Sequence, residues 1–245
     1  MTPIDTTTTL GDLVTAHPRL AGELDRRGLD YCCGGARSLD DAARAAGLDP
    51  ATLAGELAEV AAAGGEDDTP PWAAMGIVEL TDHILATHHR YLWDELPRVQ
   101  ALAEKVASAH GDRHPELAEV CRLTTQLRAD LEQHLGKEER VLFPAIAALA
   151  TDAPVPEFHF GRVANPIATM LIEHDRAGDL LADLRRVTGG YRVPEDGCAS
   201  YRAFYDALAE LEADTRLHVH KENNVLFPAV LRVDDDRAAA PGEPR

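Results

Sequence analysis

Two stretches of this chain pair an imidazole with a carboxylate at helical spacing. One reads His134-Leu-Gly-Lys-Glu138-Glu-Arg-Val-Leu-Phe-Pro144, and the other His218-Val-His-Lys-Glu222-Asn-Asn-Val-Leu-Phe-Pro228. The copies lie 84 positions apart (134 to 218) and share His, Lys, Glu, Val, Leu, Phe and Pro. A His and a Glu at i and i+4 share one face of a helix. An imidazole and a carboxylate on one helical face make half of a metal site, and two such halves point to a two-metal centre. Imidazole with carboxylate suits iron ahead of the harder ions that prefer all-oxygen shells, with manganese and zinc also compatible.

The elements that must position these groups are long amphipathic helices, expected at roughly 76–108, 115–143, 166–188 and 199–227. The second carries the stripe Leu117, Val120, Thr124, Leu127, Leu131, His134, Glu138, Val141. The fourth carries Tyr201, Phe204, Leu208, Leu211, Thr215, His218, Glu222, Val225. Both step by 3 and 4, the pattern of a helix bundle. In both, the stripe turns from apolar to His and Glu partway along. Burying a carboxylate is costly without compensation, and a cation supplies it.

The third helix places His174 on the stripe Ile167, Met170, His174, Ala177, Leu181, Leu184. The first offers His83 on Leu80, His83, Thr87, Tyr91. The contexts Leu80-Thr-Asp-His83 and Leu171-Ile-Glu-His174 match as Leu-x-acidic-His, so the duplication spans a helix pair. The expected metal ligands are therefore His83, His134, Glu138, His174, His218 and Glu222. Glu173 and Asp130 are candidates for orienting imidazoles or relaying protons; Asp82 reads as a solvated carboxylate. His17, His88, His89, His110, His114, His159 and His220 fall off the stripes or near breaks and read as surface residues. Cys121 reads as a small buried residue, and Cys198 lies near a helix start with no partner in view.

Residues 1–63 read as a small helical domain. Thr9, Ser38 and Asp49 stand where caps belong, Pro50 opens a helix, and Gly28 and Gly47 stop two others. Within it, Leu29-Asp-Tyr31-Cys32-Cys33-Gly34-Gly35 reads as an exposed, flexible turn presenting two thiols for redox exchange or metal transfer. Residues 64–71 read as a linker, 72–233 as the bundle, and 234–245 as a flexible polar tail.

Composition narrows the partners. Asp and Glu total 42 against 24 Lys and Arg, a formal charge of -18. That charge argues against nucleic acid and against anionic membranes. No apolar run approaches the roughly 18–20 residues a membrane span needs. The N-terminus shows neither a basic nor an apolar signal region, and four cysteines are too few for a disulfide scaffold. A cytoplasmic protein is expected.

The sequence resembles the iron-sulfur cluster repair di-iron proteins, also called repair-of-iron-centres proteins. Asp30-Tyr31-Cys32-Cys33-Gly34-Gly35 matches the signature of their short N-terminal domain. The His83, His134/Glu138, His174 and His218/Glu222-Asn-Asn-Val-Leu-Phe-Pro elements match their ligand pattern. The resemblance implies an all-α fold: a hemerythrin-like up-down four-helix bundle preceded by a small helical domain. It implies a non-haem di-iron centre, oxo-bridged, with Glu138 and Glu222 bridging. It also implies repair of iron-sulfur clusters damaged by nitrosative or oxidative stress, with damaged iron-sulfur proteins as partners and nitric oxide or oxygen as small ligands. On this reading the protein donates iron, and Cys32 and Cys33 relay it or dock on the target. Reduction of nitric oxide to nitrous oxide and a sensor role are the alternatives. Monomer and homodimer both stay open.

Overall fold

The computed structural model describes residues 4–63, 71–151 and 156–239, and its described residues form helices without strands. The chain divides into two compact units: Met1–His83 with Ile146–Ala164 and Leu217–Arg245, and Ile84–Ala145 with Asn165–Arg216.

In the first unit four short helices follow their caps. Thr9 Oγ1 accepts the Asp12 N–H ahead of α1 (Leu10–Ala16). After α2 (Leu20–Arg26) the chain reverses through Gly28, whose φ of 67° favours glycine. Ser38 Oγ caps α3 (Leu39–Ala45), and Asp49 caps α4 (Pro50–Ala62), which opens on proline. Their apolar faces meet in one cluster that includes Leu10, Leu20, Leu24, Leu39, Leu57 and Tyr31, with Val219 from the chain's last third.

The helices that follow run on in chain order; the second unit takes Ile84–Ala145 and Asn165–Arg216 of them, a four-helix bundle, and the rest belong to the first. α5 (Ile77–Ile84) leads through a π turn, Leu85–His89, into α6 (Arg90–His110). α7 (Glu116–Lys137) continues through a π turn, Glu138–Leu142, into α8 (Phe143–Leu149). α9 (Ala164–Val187) follows. α10 (Ala199–Lys221) then passes through a third π turn, Glu222–Leu226, into α11 (Phe227–Ala239). The core is built from Leu92, Leu96 and Val99 of α6, Leu123, Leu127 and Leu131 of α7, Leu181 and Leu184 of α9, and Phe204, Leu208 and Leu211 of α10.

The stripes on α7, α9 and α10 are buried as the 3,4 spacing requires, except at their ends. Leu142 and Leu226 are buried where Val141 and Val225 were expected. The π turns are the cause: the wider turn after each glutamate advances the inward face by one residue. The tail expected from Asp234 is helical to Ala239, and Asp234 is gripped by Arg162 Nε at 3.0 Å. Residues 240–245 of that tail and residues 64–70 of the expected linker lie outside the described residues. Among the described residues no helix is long and apolar enough to cross a membrane.

Candidate metal centre

In the second unit, Glu138 is fully buried at the start of its π turn. Its Oε2 lies 3.2 Å from His134 Nε2 and 3.3 Å from His89 Nε2. His174 Nε2 lies 3.1 Å from His134 Nε2. All four residues are at most 3% exposed. Two of the Nδ1 atoms have carboxylate partners: His134 Nδ1 lies 3.0 Å from Glu173 Oε2, and His89 Nδ1 lies 3.0 Å from Glu139 Oε1.

A carboxylate accepts hydrogen bonds, so each Nδ1 carries the proton and each Nε2 presents its lone pair. Lone pairs aimed at carboxylate oxygen, buried, repel one another. A cation among them turns that repulsion into coordination. An imidazole that donates its far N–H to a carboxylate is the usual support for a metal ligand. Glu139 is itself fixed by Trp93 Nε1 at 2.8 Å, and Glu173 by the Lys137 ammonium. The imidazole of His134, and then Lys137, hold the Glu173 carboxyl down to about 2 despite partial burial.

In the first unit, His218 Nε2 lies 3.0 Å from Glu222 Oε1, and both are buried. The same stretch fastens the cysteine turn. Asn223 Nδ2 donates to the Cys32 carbonyl at 3.2 Å. Asn224 Nδ2 donates to the Cys32 and Tyr31 carbonyls at 3.1 and 3.3 Å. His220 is 0% exposed, with Nδ1 3.4 Å from the Tyr31 carbonyl and Nε2 3.2 Å from Thr15 Oγ1. Burial pushes the His220 imidazole down to about 4, so it is neutral. Asp30 closes the turn by accepting the N–H groups of Cys32, Cys33 and Gly34, and the Cys32 thiol donates to Asp30 Oδ1 at 3.1 Å. All four cysteines are free thiols.

The expectation of an exposed, flexible cysteine turn is therefore corrected. Tyr31 and Cys32 are 1% and 3% exposed, because the Asn pair holds their carbonyls and Gly35 permits close approach. A Cβ on Gly35 would sit 2.2 Å from Asn224 Oδ1 and 2.6 Å from the Tyr31 carbonyl oxygen. Gly35→Ala is expected to destabilise the protein by roughly 2 kcal/mol in denaturant unfolding. Gly55→Ala, on α4 with open space around it, is the control and should be neutral or mildly stabilising. Equal midpoints for the two variants would remove the tight packing of the turn.

Of the expected ligands, His134, Glu138 and His174 converge in the second unit, and His218 and Glu222 pair in the first. His83 Nε2 instead faces the buried Lys221 ammonium at 3.0 Å in the first unit. His89, read from sequence as a surface residue, is 1% exposed and faces Glu138. The reason is the first π turn. Read backwards from the buried stripe His110, Val106, Ala103, Val99, Leu96, Leu92, the next 3,4 position is His89. From Leu80 and Ile84 on α5, His89 is reached only by a five-residue step. That backward phase was the available signal.

The surface reading also fails for His88, His110 and His220, all buried. His88 Nδ1 pairs with Asp214 at 2.8 Å, and the far side of α10 at His220 is covered by α1 and the cysteine turn. His17 and His114 are half-buried and His159 is exposed. Glu173 reaches His134, as a positioning group would. Asp130 does not: it receives Gln126 Nε2 and Arg176 Nε, each at 2.9 Å. Asp82 is exposed.

Residues 80–230 match the hemerythrin HHE cation binding domain, and residues 6–61 match ScdA_N, a domain of unknown function (DUF542). The chain is 33% identical over 222 residues to a probable iron-sulfur cluster repair protein of Haemophilus influenzae, spanning 91% of this chain and 96% of that one. It is 33% identical over 222 residues to the iron-sulfur cluster repair protein YtfE of an Enterobacter species, with the same shares covered. It is 36% identical over 228 residues to YtfE of Musicola paradisiaca, again over 91% and 96%. With its two matching domains in this order, the chain belongs to the iron-sulfur cluster repair family built on a hemerythrin HHE cation binding domain.

Proposed function

We propose that this protein repairs damaged iron-sulfur clusters, as its relatives' names describe, by supplying iron from a non-haem di-iron centre. The residues that would hold it are His89, His134, Glu138 and His174 of the second unit and His218 and Glu222 of the first. Glu138 and Glu222 would bridge the two ions. The observation that carries the reading is the pair of imidazoles, His89 and His134, each tied through Nδ1 to a carboxylate and aiming Nε2 at Glu138. Iron in such a shell is held less tightly than by the thiolates of a cluster, so it can be passed on.

The chain's own groups have separate tasks. Glu139 and Glu173 fix two imidazoles. Asn223 and Asn224 tie the cysteine turn to the π turn that begins at Glu222. Asp30 Oδ1 stands ready to take the Cys32 proton when that sulfur is needed as thiolate. The partners are iron-sulfur proteins that have lost iron, and the setting is the cytoplasm, with nitric oxide or oxygen as small ligands.

The experiment is reactivation of an iron-sulfur hydratase inactivated by nitric oxide, using the reduced, iron-loaded protein. The wild type should restore activity. Cys32→Ser/Cys33→Ser should keep its iron and restore none. No restoration by the wild type overturns the function; full restoration by the double variant removes the thiols from it.

A further inference from the structure

We propose that Cys198 and His110 form a thiol-exchange site that takes low-molecular-weight disulfides and converts reversibly to a mixed disulfide. Cys198 is exposed and immediately precedes α10. His110 is the last residue of α6, 7% exposed, and its Nε2 lies 3.2 Å from Cys198 Sγ. The two residues are 88 positions apart in sequence, so the fold brings them together.

Two helix ends meet here with opposite polarity. The N-terminus of α10 favours a thiolate at Cys198, and His110, whose Nδ1 lies 3.5 Å from Arg113 Nη2, faces that sulfur through Nε2. The backbone N–H of Tyr201, and then the His110 side chain, draw the thiol down to about 7. The Tyr201 ring packs edge-on against His110, with centroids 5.3 Å apart. The surrounding charged groups are Arg113 and His114 on the turn, Glu116 at the start of α7, and Asp196 before α10. Asp196 lies 2.9 Å from His114 and 3.2 Å from Arg113, so these neighbours largely neutralise one another.

This pair is remote from the metal donors. His89 and His110 are 21 residues apart along α6, about 30 Å at 1.5 Å per residue. Cys198 is therefore no metal ligand, and the proposal stands independently of the di-iron reading.

In the exchange, Cys198 Sγ attacks one sulfur of the disulfide. The new S–S bond forms as the old one breaks, and the departing thiolate leaves with the electron pair and takes up the proton that His110 held. The disulfide is the oxidant, and a small thiol reverses the step.

The test treats the full-length, metal-loaded protein with oxidised glutathione at pH 7 and locates the adduct by peptide mass mapping. Cys198 should be modified, reversibly by reduced glutathione, and Cys198→Ser should lose that adduct. Iodoacetamide at pH 6.5 measures the activation. A thiol at about 7 carries far more thiolate than an ordinary one, partly offset by lower nucleophilicity, so folded protein should react at Cys198 about tenfold faster than guanidinium-unfolded protein. His110→Gln should slow folded protein about two- to threefold at pH 6.5, leaving the share due to the Tyr201 N–H, and match the wild type at pH 10. No adduct at Cys198, equal rates folded and unfolded, or an unchanged rate in folded His110→Gln would each overturn the proposal.

Discussion

Glu138→Ala is expected to purify with little or no iron and to unfold well below the wild type. Glu138 is fully buried, faces two imidazoles in the second unit, and is proposed as a ligand shared by both ions. Its loss therefore removes an oxygen ligand from each ion at once. A ligand present at about 1,000 times its dissociation constant stabilises the folded state by about 4 kcal/mol, and that linkage disappears with the metal. Glu138→Gln separates charge from volume. It keeps the side chain's size but not the anion, and should lose iron equally while leaving the metal-free fold close to wild type. Glu222→Ala should behave like Glu138→Ala. Wild-type iron content in Glu138→Gln would show that the carboxylate is no ligand.

Most of the bundle is legible in the sequence, because its helices bury one stripe each. Leu117 to Glu138 on α7, Ile167 to Leu184 on α9 and Tyr201 to Glu222 on α10 are buried at the positions that 3,4 spacing selects. The caps at Thr9, Ser38 and Asp49 are legible because a side-chain oxygen three residues before an amide has a single local job. The first ligand helix misleads because its regular spacing is interrupted. His83 sits in a sequence context that copies that of His174, and uniform helical phase carries it onto Thr87 and Tyr91. In the fold Thr87 is exposed, and the π turn hands the inward face to His89. Local propensity does not announce a π turn; only packing on both sides of it fixes the change of phase. The cysteine turn misleads for a related reason. Cys-Cys-Gly-Gly has the composition of a flexible loop, and what fixes it is a pair of asparagines some 190 residues later.

The substitution of His89 for His83 yields the second large effect. His89 Nδ1 is held by Glu139, and its Nε2 lies 3.3 Å from the Glu138 carboxylate. His83 Nε2 is instead 3.0 Å from the ammonium of Lys221, which is 3% exposed. His89→Ala should therefore lose at least one of the two ions. His83→Ala should keep both, yet lose about 1–3 kcal/mol of stability, because a buried ammonium forfeits a hydrogen-bond partner. The two variants thus exchange phenotypes: one damages the metal content, the other chiefly the fold.

The central claim is that two metal ions are held by His89, His134, Glu138, His174, His218 and Glu222. Iron per chain, measured by plasma mass spectrometry on wild type, His83→Ala and His89→Ala purified side by side, tests it most directly. The account predicts two irons in the wild type, two in His83→Ala, and one or none in His89→Ala. Full iron in His89→Ala with depleted iron in His83→Ala, or a wild type without iron, would contradict it.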